Sequence, residues 1–181
     1  DAFYQVMELS NTPVIASHSS LRKYTPGFER NMNDDMLLAL KKNGGVIQIN
    51  FGSSFVTAKA GTWGKQLKSK KEAVKKDGTK LSKDFDAMYR AKNPFPFASL
   101  EQVLDHIDHV VKLIGIDHVG IGSDYDGVGD SLPIGLKDVS SYPNLVQGLM
   151  DRDYSDSAIK KILSGNTLRV WKQAEQYAKS H

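Results

Sequence analysis

The chain has 181 residues, enough for one domain with a real core, and its 40% hydrophobic and 25% charged residues form an ordinary globular profile. The net charge of +3 is mild and much of the excess comes from residues 59–83, so the total charge indicates no nucleic-acid partner. There is no cysteine, which excludes disulfides and thiolate metal sites, and no apolar run approaches the ~18 residues needed to span a bilayer.

Residues 1–10 read as the middle of a helix rather than a natural start, so the chain is expected to be cut from something longer. Residues 13–17 are short, apolar and partly β-branched, which predicts a strand running into His18. Residues 22–30, polar and carrying Pro26 and Gly27, predict a loop. Asn33 then caps a helix to about Asn43. Asp34 and Asp35 lie in its first turn, Lys41 and Lys42 in its last, and Gly44 is the stop, all in agreement with the macrodipole. Residues 45–51 are the next predicted strand.

Residues 57–97 are lysine-rich with scattered apolar positions and end at Pro94 and Pro96, which predicts an excursion of one or two exposed helices. Ser99 with Gln102 forms a capping-box pattern ahead of an apolar stripe through Val103, Ile107 and Val110. A third strand is predicted over residues 118–123, ending at Asp124, and Ser155 caps a last helical region that continues to about Lys179. Strands alternating with helices imply a parallel sheet with helices outside it, and strands this apolar are expected to be covered on both faces. Three parallel strands make a poor stand-alone domain and a good segment of a βα barrel, whose chemistry sits at the C-terminal strand ends.

His18, the Asn50-Phe51 region and Asp124 fall at such ends. A neutral imidazole is a good zinc ligand, although a histidine bonded to Ser17, Ser19 or Ser20 explains His18 equally simply. Asp124 follows Gly120, Gly122 and Ser123, small residues that let the backbone pass close to a ligand, and a carboxylate there can hold a metal or move a proton. The turn role is assigned to Asp126 with Gly127. Arg30, in the loop after the first strand, could hold a carboxylate bidentately, against the default of a surface arginine. On helical geometry His106 and His109 should face the solvated side, and His118 precedes its strand and lies at the wrong end. Gly120-Ile121-Gly122 lacks the rest of a dinucleotide fingerprint, and Asp124-Tyr125-Asp126-Gly127 has its glycine too early for an EF-hand loop.

The ordered set Pro13-Val14-Ile15-Ala16-Ser17-His18-Ser19-Ser20, Arg30-Asn31-Met32-Asn33-Asp34-Asp35, Ile49-Asn50-Phe51, Gly120-Ile121-Gly122-Ser123-Asp124-Tyr125-Asp126-Gly127 and Gly165-Asn166-Thr167-Leu168-Arg169-Val170 resembles the membrane dipeptidase (renal dipeptidase) family, and the chain looks like a bacterial member. The resemblance implies the C-terminal half, about strands six to eight, of a (β/α)8 TIM barrel of the amidohydrolase type. It implies a single catalytic domain over residues 1–181, with the lysine-rich excursion at about 57–97 inserted in it. The implied activity is hydrolysis of dipeptides through a hydroxide bridging two zinc ions. His18 matches one zinc-ligating histidine, Asp124 the proton-handling aspartate and Arg30 the arginine that binds the substrate carboxylate. Phe55 stands where some members place a tyrosine near the substrate. The remaining ligands are expected upstream, so residues 1–181 alone are expected to be inactive and to need the N-terminal half of the barrel as a partner. The resemblance also admits a homodimer and an exported or membrane-associated location. Two other readings fit the same residues: another amidohydrolase, such as a lactonase or β-lactam hydrolase, and a peptide- or carboxylate-binding domain without metals.

Overall fold

Three short parallel strands organise the fold, seen in a computed structural model that describes residues 2–180. Asp1, at the start of the predicted opening helix, lies outside the described residues. The elements in order are α1 (Ala2–Leu9), β1 (Ile15–Ser19), α2 (Asp34–Asn43), β2 (Val46–Ile49), α3 (Ser53–Val56), α4 (Ala58–Lys76), α5 (Phe85–Lys92), α6 (Leu100–Ile114), β3 (Val119–Ile121), α7 (Tyr142–Asp151), α8 (Asp156–Lys160) and α9 (Asn166–Ser180). A π-helical turn, Lys161–Gly165, joins α8 to α9 without a break in the helical path.

The sheet order is β1-β2-β3, and both pairings are parallel. Ile47 and Ile49 on the central strand pair with Val119 and Ile121, and all of β2 except Gln48 is buried. On its other side β2 pairs with β1, but the register slips between Ala16 and Ser19. Three residue steps on β1 match two on β2, so Ser17 and His18 form a bulge opposite Gln48. The expectation that every strand is covered on both faces fails here: Ile15, Ser17 and His18 are exposed, and among the described residues no strand pairs with the far side of β1.

The core lies between the sheet and α2, α6 and α7, built on Leu37, Leu40, Ile47, Ile49, Leu104, Ile107, Leu145 and Leu149. The helix ends follow local chemistry. The Asn33 side chain accepts from the Met36 amide, and Gly44 closes α2 in the left-handed region at φ 81°. Ser99 and Gln102 exchange both bonds of a capping box. The strongly amphipathic α6 thereby starts at a fixed residue and lays its apolar face on the sheet.

Residues 57–97 hold α4 and α5. Trp63 ties α4 to the segment that follows α5: its indole donates to the Asn93 carbonyl at 2.9 Å, and its ring meets Phe95 edge-on at 5.0 Å. No helix among the described residues is long and apolar enough to cross a membrane.

Candidate functional site at the C-terminal strand ends

The ladder continues past the strands. The Asn50 amide donates to the Ser19 carbonyl at 3.0 Å, the Gly122 amide to Ile49 at 3.1 Å, and the Phe51 amide to Ser123 at 3.4 Å. The C-terminal ends of all three strands therefore share one edge, and the segments that follow them, residues 20–31, 50–56 and 123–128, pack side by side.

Asp124 leaves β3 in a left-handed conformation, φ 58°, which an aspartate tolerates better than most residues. Its carbonyl accepts the Gly127 amide at 3.0 Å, so Asp124 itself opens the turn whose centre is Tyr125-Asp126. The half-buried carboxylate accepts a hydrogen bond from Asn50 Nδ2 at 2.9 Å. A side chain at position 127 would overlap the Asp124 carboxylate, which is why the turn closes on glycine. Tyr125 next to it packs edge-on against Phe51 and Tyr142, and its hydroxyl is buried with no hydrogen-bond partner among the described residues. Burial pushes that phenol up to about 12, so it stays protonated. Nothing in the sequence singled out Tyr125, since only its position against two other aromatic rings isolates its hydroxyl.

His18 sits in the β1 bulge, exposed, with Nδ1 2.9 Å from Ser17 Oγ. Its Nε2 has no partner among the described residues. No hydrogen bond or ion pair links His18 to Asp124 among them.

Arg30 and Phe55 come together. The guanidinium carbon lies 5.4 Å from the centroid of the Phe55 ring, and Phe28 meets the same ring edge-on at 5.2 Å. The Arg30 carbonyl accepts from Ser19 Oγ at 2.9 Å, tying this loop to the residue after His18. Fully buried Asn31 links the two segments. Its Oδ1 accepts from the Ser20 amide at 3.0 Å, and its Nδ2 donates to the Phe55 carbonyl at 2.8 Å.

His106 departs from expectation. It is buried rather than solvated, because two backbone groups from distant segments reach the edge of the α6 stripe: the Leu21 amide donates to Nδ1 at 3.1 Å and Nε2 donates to the Val56 carbonyl at 3.0 Å. Burial pulls its pKa down to about 4. His109 is half-buried on the same helix, with Nε2 2.9 Å from Asp34 and Nδ1 3.0 Å from Lys23 Nζ. His118 bonds the Gly45 carbonyl at 2.8 Å, at the N-terminal end of the sheet and away from this edge.

Among the described residues, no three His, Asp or Glu side chains gather closely enough to enclose a metal ion. An exposed imidazole with a free Nε2 suits the part of one ligand, but these donors do not compose a metal site.

The profile of the membrane dipeptidase family (peptidase family M19) matches residues 1–181. The chain is 34% identical over 176 residues to an uncharacterized dipeptidase of Schizosaccharomyces pombe, covering 97% of this chain and 34% of that one. It is 33% identical over 172 residues to Dipeptidase 3 of Mus musculus, covering 95% of this chain and 27% of the relative. The chain thus spans about a third of these relatives. Among solved structures it is similar to the probable dipeptidase PvdM from Pseudomonas aeruginosa, with TM-score 0.75, 29% identity and coverage of 97% of this chain and 48% of that one. It is also similar to a metallo peptidase from Rhodobacter sphaeroides liganded with a phosphinate mimic of the dipeptide L-Ala-D-Ala, with TM-score 0.69, 27% identity and coverage of 94% and 39%. With a family match over its whole length and an α/β architecture similar to these peptidases, this chain belongs to the membrane dipeptidase family.

Proposed function

We propose that the chain is the C-terminal half of a (β/α)8 barrel in a zinc-dependent dipeptidase, and that its exposed strand-end edge forms part of the active site. The observation that supports this reading is the pair of bonds Ser19 Oγ to the Arg30 carbonyl and Asn50 Nδ2 to the Asp124 carboxylate, which tie the loop bearing Arg30 to the residue after His18 and the carboxylate to the end of the central strand.

In this reading Arg30 holds the free carboxylate of a dipeptide. Its guanidinium is backed by the Phe55 ring, which restricts it without competing for its donors. The carboxylate clamp selects the amide bond next to a free C-terminal carboxylate, the one peptide bond that a dipeptide offers. Asp124 carries the proton of the reaction: it accepts one while the nucleophile attacks the amide and returns it to the departing amine. Asn50 keeps the carboxylate aimed at the edge. Zinc, when bound, supplies an acidified water. His18 would contribute one ligand and the others lie outside residues 1–181, so this segment alone is inactive.

The test uses the complete polypeptide with dipeptide substrates. R30A raises KM about tenfold or more, the scale of a lost charge-assisted pair. D124N keeps its zinc content and loses about 10²–10⁴ in kcat. Normal turnover by D124N, or hydrolysis that survives complete metal removal, would overturn the reading.

A further inference from the structure

Two buried polar side chains, His106 and Asn31, close a ring of hydrogen bonds behind the Arg30–Phe55 pair. Starting at His106, Nδ1 accepts from the Leu21 amide. One residue back, the Ser20 amide donates to Asn31 Oδ1. Asn31 Nδ2 donates to the Phe55 carbonyl, and the next carbonyl, Val56, accepts from His106 Nε2. The ring thus runs through three segments far apart in sequence, His106 standing 85 positions from Leu21 and 50 from Val56.

Both side chains are almost wholly buried, at 1% and 0% exposure, and each uses both of its polar ends. Burying polar groups in this way costs stability unless every partner is met, and an apolar side chain at position 106 would take from the buried Leu21 amide the acceptor it has in His106. Here the partners are backbone groups of the two loops that bear Arg30 and Phe55, with the Thr25 hydroxyl as a further acceptor for Asn31 Nδ2 at 2.7 Å. The tautomer is fixed by them: an amide donates to Nδ1 and a carbonyl faces Nε2, so the ring carries its hydrogen on Nε2. The Tyr24 ring packs against the imidazole at a 44° tilt, with the ring centroids 4.6 Å apart.

We propose that His106 is a positioning residue for the carboxylate clamp, setting the spacing between the Arg30 loop and the Phe55 helix from behind. It touches neither substrate nor the reacting atoms. The inference rests on the carboxylate-binding role of Arg30 proposed above.

The experiment compares R30A, H106N, H106L and the double variant R30A/H106N in the complete polypeptide, against a dipeptide and the corresponding dipeptide amide. H106N keeps an acceptor for Leu21 but cannot reach Val56, so it loosens one side of the ring while keeping a polar group in place. The expected result is a KM for the dipeptide raised about tenfold in H106N, with kcat within about twofold, the mark of lost positioning of a binding group. Affinity for the amide, which lacks the carboxylate, stays unchanged. H106N adds nothing in the R30A background, and H106L follows H106N where it folds. An equal change in dipeptide and amide, a fall in kcat alone, or full additivity with R30A would overturn the proposal while leaving the clamp intact. An unchanged KM in R30A would overturn the clamp itself and the proposal with it.

Discussion

Asn50 bridges two needs at once: its Nδ2 donates to Asp124 Oδ2 at 2.9 Å, while its Oδ1 accepts from the Gly52 amide at 2.7 Å. The residue is fully buried, so the amide is oriented by the backbone on one side and orients the carboxylate on the other. N50D keeps the acceptor for Gly52 and replaces the donor facing Asp124 with a second carboxylate. N50L loses both bonds. N50L is expected to lower stability by about 1–3 kcal/mol through the orphaned Gly52 amide. N50D should cost less stability at neutral pH than N50L but disturb turnover at least as much, because like charges push Asp124 from its place. Urea unfolding and dipeptide turnover of the complete polypeptide separate the two.

The Gly127 turn makes a different demand. A Cβ there would meet the Asp124 carboxylate, the movable end of a side chain, rather than backbone. G127A should therefore leave unfolding midpoints nearly unchanged while displacing Asp124, and turnover falls. A G127A enzyme of normal kcat would show that the carboxylate has no fixed working position.

How much of this was legible in advance depended on the range of the interactions. The α2 and α6 starts were readable because Asn33, Gly44, Ser99 and Gln102 act within a few residues. The strand-end placement of His18 and Asp124 follows from the alternation of strands and helices. The helix α7 escaped, since it opens on Pro143 without a polar cap bond and its buried residues, Leu145, Gly148 and Leu149, lie in a single patch. His106 escaped for a different reason. Periodicity places it at the flank of the α6 stripe, and what buries it is two backbone groups supplied by other segments. The bulge at Ser17 and His18 is likewise a property of pairing with β2, invisible along β1 alone.

The same histidine gives the protein an acid limit. Burial, the largest cause, holds His106 near 4 against its ordinary 6.5, with neighbouring Asp105 acting upward and His109 downward. Between those values the unfolded chain takes a proton that the folded chain refuses. Stability therefore falls as pH drops from 6.5 to about 4, and the loss is complete below that, on the order of 3 kcal/mol. Protonation would also set an N–H against the Leu21 amide. Denaturant unfolding at pH 7, 5.5 and 4.5 should show a slope in the natural protein that is absent in H106N; equal slopes would remove His106 as its source.

Arg152 offers a test of electrostatics away from the strand ends. It closes the turn after α7 and reaches across to α6, donating to Glu101 at 2.6 Å, Asp105 at 2.9 Å and Asp108 at 2.5 Å. Tyr154 adds a hydroxyl bond to Asp108 at 2.8 Å. Burial works to lower its pKa, but the hydrogen bonds that Arg152 donates to these acids hold the guanidinium above its ordinary value. The three carboxylates stand one turn apart along α6, Glu101 exposed and Asp105 and Asp108 half-exposed, so without the arginine they repel one another in a partly screened setting. R152A is expected to destabilise by about 1 kcal/mol at low ionic strength. R152K, with one point charge in place of a fork, recovers only part of that. Because the repulsion is screened, the R152A penalty should shrink when salt is raised to about 0.5 M. A penalty indifferent to salt would mean that Arg152 acts through the packing of its stem against α6 rather than through its charge.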